Sequence, residues 1–219
     1  MLCNRLLLFC LLLFSGRALS QDTMPPKRIS VLLSPVPVPM APTKLALQPG
    51  VQVRLRNWSL TAQVAFPVQK PSPLFANTRY FRQSGELKWF FKQRKDWQKY
   101  LSAEVLYAKR SFVDTSGGNY FKGPHEERYH YSRADIRSPI LVMVVKAGAE
   151  IPITKRFFVD AFVGLGTRTI YTTYSHVEGE ELNPYGLFQL DVWKSAYRYE
   201  GTFSKPHIAA GLKFGYTVW

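Results

Sequence analysis

From Lys27 to the C-terminus the chain repeats one pattern, short stretches in which apolar and polar residues alternate, separated by proline, glycine and charge. A two-residue period places alternate side chains on opposite faces of a strand, so the pattern predicts β-structure throughout. Eight stretches carry it. Lys27 to Ser34 sets Ile29, Val31 and Leu33 on one face, and the proline-rich run Pro35 to Pro42 ends it. About Thr43 to Leu55 sets Val51, Val53 and Leu55 against Gln52 and Arg54, with Gly50 as a bend. Trp58 to Phe66 sets Leu60, Ala62, Val64 and Phe66 against Thr61 and Gln63. Thr78 to Phe91 sets Leu87, Trp89 and Phe91 against Glu86 and Lys88. The remaining four are Lys99 to Phe112, Pro139 to Ile153, Phe157 to Tyr174 and Lys205 to Trp219. The long polar stretches Val113 to Ser138 and Ser175 to Ser204 read as loops, with Leu187 to Val192 in the second able to extend a strand.

The connections alternate in length. Arg56-Asn57, Lys92 to Gln98 and Thr154 to Arg156 are short, whereas Pro35 to Pro42, Pro67 to Asn77 and the two polar stretches are longer. Short turns at one end and long loops at the other are the layout of an outer-membrane barrel. No stretch beyond the N-terminus is long and apolar enough for a membrane helix, so a chain of this kind that spans a membrane does so as a closed barrel. The fold expected is therefore all-β, an antiparallel up-and-down transmembrane β-barrel of about eight strands.

The N-terminus reads as a secretory signal. Arg5 precedes the apolar run Leu6 to Phe14, and Ala18-Leu19-Ser20 supplies small residues for cleavage before Gln21. The expected organisation is a signal peptide over 1–20 and one barrel domain over 21–219. Cys3 and Cys10 both fall in the signal, which leaves the mature chain without a disulfide, a thiolate metal site or a cysteine nucleophile. Loss of Arg5 and Arg17 takes the formal net charge from +14 to +12. For an exported chain that balance points to phosphorylated lipid headgroups rather than nucleic acid.

Alternation alone does not say which face points outward, but side-chain volume does. The lumen of an eight-stranded barrel is only wide enough for its own side chains. The apolar faces are bulky (Leu87, Trp89, Phe157, Val159, Phe214, Tyr216), whereas Gly148, Gly164, Gly166, Gly211 and Gly215 lie on the polar ones. Glycines and ions are therefore expected inside and bulky side chains against lipid. The polar faces carry both signs, which predicts a lumen ionic network of Arg54, Glu86, Lys88, Glu104, Arg110, Lys146, Glu150, Asp160, Arg168 and Lys213, with Lys146 and Glu150 a pair to test. Arg79, Arg82, Arg94, Lys95, Lys155 and Arg156 are expected at the rims as lipid-headgroup contacts, the first two beside lipopolysaccharide phosphates. Trp58, Trp89, Tyr80, Tyr107, Tyr171 and Tyr216 are expected in interfacial girdles.

Little in the sequence points to chemistry. Ser175-His176 with Glu178 is the nearest thing to a hydrolytic cluster, and His125-Glu126-Glu127 with His130 the nearest to a metal site, but neither has the spacing of a known catalytic or zinc motif. His207 on a polar face is expected to hydrogen-bond in the lumen. No catalytic residue, metal site or cofactor is assigned.

The terminal run Gly211-Leu212-Lys213-Phe214-Gly215-Tyr216-Thr217-Val218-Trp219 resembles the last strand of outer-membrane proteins. That resemblance implies an assembly signal carried by Phe214, Tyr216 and Trp219 and read by the barrel-assembly machinery. Strict alternation puts Trp219 on the polar face, which departs from the family pattern. Together with Ile29 to Pro35 and the hairpin Val51 to Ala65, the mature chain resembles small outer-membrane barrel proteins of Bacteroidota, with the barrel architecture of outer membrane protein A. The resemblance implies a Gram-negative outer-membrane location and no catalytic residues. Expected partners are outer-membrane lipid and lipopolysaccharide, the assembly machinery during insertion, and other outer-membrane proteins. The function expected is a non-enzymatic structural or interaction subunit with a closed, ion-paired lumen. An outer-membrane lipid-modifying enzyme and a soluble periplasmic lipocalin-like carrier are the alternatives.

Overall fold

The computed structural model describes residues 27–37, 45–67, 75–91, 97–115, 119–122, 128–179, 181–182 and 200–218. The expected signal peptide, the run Leu187 to Val192, and His125, Arg94, Lys95 and Trp219 lie outside the described residues.

Twelve strands are described. They are β1 (Lys27–Pro37), β2 (Leu45–Leu55), β3 (Trp58–Pro67), β4 (Phe75–Phe90), β5 (Gln98–Asp114), β6 (Asn119–Lys122), β7 (Arg128–Tyr131), β8 (Arg133–Arg137), β9 (Ile140–Pro152), β10 (Phe157–Glu178), β11 (Glu181–Leu182) and β12 (Gly201–Thr217). Every pairing is antiparallel. Neighbours run β1-β2-β3-β4-β5-β9-β10-β12, and β12 pairs back to β1, so eight strands form a closed ring. Closure leaves a sheet without free edges wherever the ladders are complete. β8 continues β9 across Ser138-Pro139, pairing with the same two strands, β5 and β10. Backbone bonds from Ser138 N to Arg110 O and from Tyr171 N to Pro139 O carry the ladders past the break.

The hairpin joining β2 to β3 turns on Arg56, whose φ of 51° lies in the left-handed region that short hairpins use. The other short turn, 153–156, is closed by Ile153 N and Thr154 N bonding to Phe157 O. At the opposite end β6, β7 and β11 form a separate three-stranded sheet.

Burial follows parity almost without exception. On β9, Val142, Val144, Lys146 and Glu150 are buried while Met143 and Val145 are exposed. On β4, Ser84, Glu86, Lys88 and Phe90 are buried while Leu87 and Trp89 are exposed. The ring therefore buries charge and exposes hydrocarbon.

Two segments depart from the expectation. The stretch Val113 to Ser138 contains three strands rather than one loop, and β10 continues beyond Tyr174 to Glu178. The reason is a change of polarity. Around β8, Phe112, Ala134 and Ile136 are buried and Arg133 and Arg137 exposed, the reverse of the strands below. Polar residues face out where the surroundings are polar, so this region loses the signature of bulky apolar side chains and reads as loop.

Candidate functional site

The ring interior has two layers, and the lower one, toward the short turns, is ionic. Lys88 has no exposed surface and sits between Asp160 at 2.6 Å and Glu150 at 3.0 Å. Arg54 approaches Glu150 at 3.7 Å, and Gln52 Nε2 donates to Glu150 Oε1 at 2.8 Å. Tyr100 Oη donates to the other oxygen of Asp160 at 2.5 Å. Beside this group lies a second. Lys213 meets Glu86 at 2.5 Å, and Lys146 bridges Glu86 at 3.5 Å and Glu104 at 2.6 Å. Ser102 Oγ donates to Glu86 at 2.7 Å. A dry charge costs several kcal/mol unless it is paired and hydrogen-bonded, and Glu86, Glu150 and Asp160 each hold two or more such contacts, while Glu104 is held by Lys146. Lys146 and Glu150 fall in different groups, so the pairing expected between them is corrected. They stand on one strand, and the partners each one finds come from other strands.

Aromatic side chains complete the packing, and sequence reasoning missed them. Phe90, Tyr100, Phe112 and Phe158 are buried inside although bulky residues were expected outside. Tyr100 and Phe158 lie over glycines. A Cβ at Gly148 would stand 2.4 Å from Tyr100 Oη, and one at Gly215 would stand 2.1 Å from the Phe158 ring. The absent side chains on β9 and β12 are what admit the rings. The rings in turn face cations, with Arg54 3.7 Å from the Phe90 centroid and Lys146 4.2 Å from Phe162. The doublets Phe90-Phe91 and Phe157-Phe158, apolar on both parities, were the available signal.

The upper layer, toward the long loops, is a cavity of about 300 Å³. Leu106, Ile140, Val142 and Val144 form an apolar wall, and Arg82, Arg168, His207 and Tyr80 line the rest. Lys146, Glu104 and Lys213 of the ionic layer form its floor. Two residues expected on the outside are thereby corrected. Arg82, expected to contact headgroups, and Tyr80, expected in a girdle, share the parity of Ser84 and Glu86 and line the interior. The β4–β5 register runs unbroken from Arg79 to Phe90, so the parity of Glu86 and Lys88 carries through to both. Of the expected ionic residues, Arg168 makes no ion pair with a described residue, and Arg110 donates to Ser138 Oγ at 3.1 Å. Arg79, Lys155 and Arg156 are exposed.

The outer surface is ordered by depth. At the short-turn end Trp58 stacks on Trp89 at 6.2 Å, Trp89 meets Phe91 at 4.8 Å, and Phe157 meets Tyr216 at 4.9 Å. Arg156 donates to Tyr216 Oη at 3.1 Å, and that bond raises the guanidinium pKa above its ordinary value. Toward the loops Phe66, Phe81, Tyr171 and Phe203 are exposed. Between the two belts the surface is mainly aliphatic, including Val31, Leu60, Val145, Leu165 and Ile208, with Gln83 and Thr167 also exposed there. From Trp58 to Phe66 on β3 is roughly 26 Å along the strand at about 3.3 Å per residue. Phe214 is exposed within this surface and Tyr216 is half-buried at its lower edge.

Of the two sequence clusters weighed for chemistry, only Ser175, His176 and Glu178 can be placed, since His125, Glu126 and Glu127 lie outside the described residues. His176 Nδ1 pairs with Asp135 at 3.2 Å, Ser175 Oγ donates to the Asp135 backbone oxygen, and Glu178 pairs with Arg133. His176 and Ser175 thus engage separate atoms of Asp135 from adjacent positions. Among the described residues no three His, Cys, Asp or Glu side chains converge as metal ligands. No protein-family model, curated protein or solved structure matches the chain.

Proposed function

We propose that this chain is a non-enzymatic outer-membrane β-barrel protein, a structural or interaction component whose ion-paired lower lumen blocks free passage. The observation that carries the reading is the inversion of burial. Val145 is 63% and Ile208 74% exposed on a mainly aliphatic band, while Lys88, Glu86 and Asp160 are at most 1% exposed inside. Water penalises both halves of that arrangement, and a bilayer favours the first. Aromatic belts bordering the band and cationic rims at Lys155, Arg156 and Arg79 suit the two headgroup zones, with lipid phosphate and lipopolysaccharide as partners. Residues 1–20 act as an export signal in this reading, and the Phe214–Trp219 end serves insertion. A lipocalin-like carrier requires the opposite polarity, with an apolar interior and a wettable exterior.

Cell fractionation tests the reading. The processed chain is expected in the outer-membrane fraction, released by detergent and not by osmotic shock or high salt. Its gel mobility is expected to change on boiling, as the closed ladder opens. Release by osmotic shock would overturn the reading.

A further inference from the structure

The interior cavity has a charge imbalance and an interrupted wall, and together they define an occupant. Among the described residues Arg82 and Arg168 have no ion-pair partner, and the buried Nε of each has no hydrogen-bond partner. Arg168 stands directly across the ladder from Lys205, and its charge opposes those of both Lys205 and Arg82. Like charges placed opposite each other on a sheet are destabilising unless something neutralises them. Among the described residues Glu104 is the one carboxylate lining the cavity, and Lys146 already holds it at 2.6 Å. Beside the cations lies the aliphatic wall of Leu106, Ile140, Val142 and Val144, with Arg168 directly across the ladder from Val142.

The wall is interrupted at the β1–β12 seam. Every other ladder of the ring is longer, but β1 and β12 pair only from Ser30↔Thr217 to Leu33↔Phe214. Above that point β12 has no bonded neighbour on this side among the described residues. Pro35 and Pro37 on one edge and Pro206 on the other have no N–H to leave unsatisfied, which lowers the cost of an open edge in hydrocarbon. Both edges line the cavity, through Ser34 and Pro35 from β1 and Ala209 to Leu212 from β12. Inward positions of β12 along this stretch, Lys205, His207 and Ala209, are only half-buried, unlike their counterparts on β9.

We propose that the cavity binds a single-chain fatty-acid carboxylate that enters sideways through the β1–β12 seam. The carboxylate lies between Arg82 and Arg168, where guanidinium groups offer paired donors, and the chain lies on the aliphatic wall. At about 30 Å³ per water-sized group the volume takes on the order of ten heavy atoms. A medium-length chain fits inside, and a longer one trails through the seam. The proposal rests on the membrane reading above, because the seam opens at the depth of the aliphatic band.

A photoreactive medium-chain fatty acid bearing a diazirine, added to the full chain in phospholipid vesicles, tests it. Adducts are then mapped by peptide mass spectrometry. The expected result is labelling of both the inward Val142 and Val144 and the lipid-facing Met143 and Val145. Arg82→Gln with Arg168→Gln is expected to lower inward labelling roughly tenfold while leaving outward labelling unchanged. Both substitutions relieve repulsion, so the folded, heat-modifiable form should persist. Arg82→Lys with Arg168→Lys should retain most inward labelling, and the amine analogue of the probe should label the inside poorly. Continuing the register from Leu33↔Phe214 places Pro35 opposite Leu212, and a disulfide between Pro35→Cys and Leu212→Cys should suppress inward labelling until reduced. Outward adducts without inward ones, or inward adducts indifferent to charge, would overturn the site alone. Inward labelling that persists with the seam locked would overturn the sideways entry. Absence of adducts on Met143 and Val145 would overturn the membrane reading and the site with it.

Discussion

Lys88 neutralises two carboxylates from strands across the ring, and its replacement shows how the ionic layer is built. Lys88→Met is expected to strip Asp160 of its cation, leave Glu150 with Arg54 alone and cost about 3–5 kcal/mol, read as a lower urea midpoint for unfolding in lipid vesicles. Tyr100→Phe removes one donor to Asp160 and leaves the ring in place, so a smaller loss of about 1–3 kcal/mol is expected in the same assay. Gly148→Ala reaches that bond from the other side. The added methyl meets both Tyr100 Oη and the Ala161 carbonyl, so the ring must move off Asp160, and the loss should resemble that of Tyr100→Phe or exceed it. A double-mutant cycle belongs on Lys146 and Glu104, which touch, rather than on Lys146 and Glu150. Parity was legible from sequence at these positions, since Lys88, Glu86 and Glu150 alternate with Leu87, Trp89 and Ile151. Partner choice was not, because Lys88 and Asp160 meet only when β4 and β10 face each other across a closed ring.

At the scale of the strand, the same alternation means different things at different depths. On β9 the run Ile140 to Val145 is apolar on both parities, which hid the inner aliphatic wall behind an outer one. On β8 the polar residues point out, which made a strand resemble a loop. Where one face alone was apolar, as on β3, β4 and the lower part of β5, the strands lie close to where the pattern put them. Depth dependence gives a direct check. Val145→Arg, in the aliphatic band, is expected to cost about 2–4 kcal/mol of folding in vesicles, whereas Thr173→Arg, exposed on β10 beside Arg137, is expected to cost about 0–1 kcal/mol. Equal and small effects at both sites would mean that water surrounds both.

For the whole molecule, one arrangement links the ionic layer, the cavity and the outer band: a closed ring that places ions on its axis and hydrocarbon on its circumference. The ring closes through four residue pairs between β1 and β12, fewer than in any other ladder of the ring. Eight strands with alternating connection lengths were legible in the sequence, but the shortness of the β1–β12 ladder was not, because register between the first and last strands depends on closure and leaves no local trace. The most direct test of the central claim is a scan of single cysteines along β9, from Val142 to Ala147, each labelled with an environment-sensitive fluorophore in vesicles containing brominated lipid. The account predicts strong quenching at Met143, Val145 and Ala147 and weak quenching at Val142, Val144 and Lys146, a two-residue period in contact with acyl chains. Uniformly weak quenching, or quenching at the even positions, would contradict it.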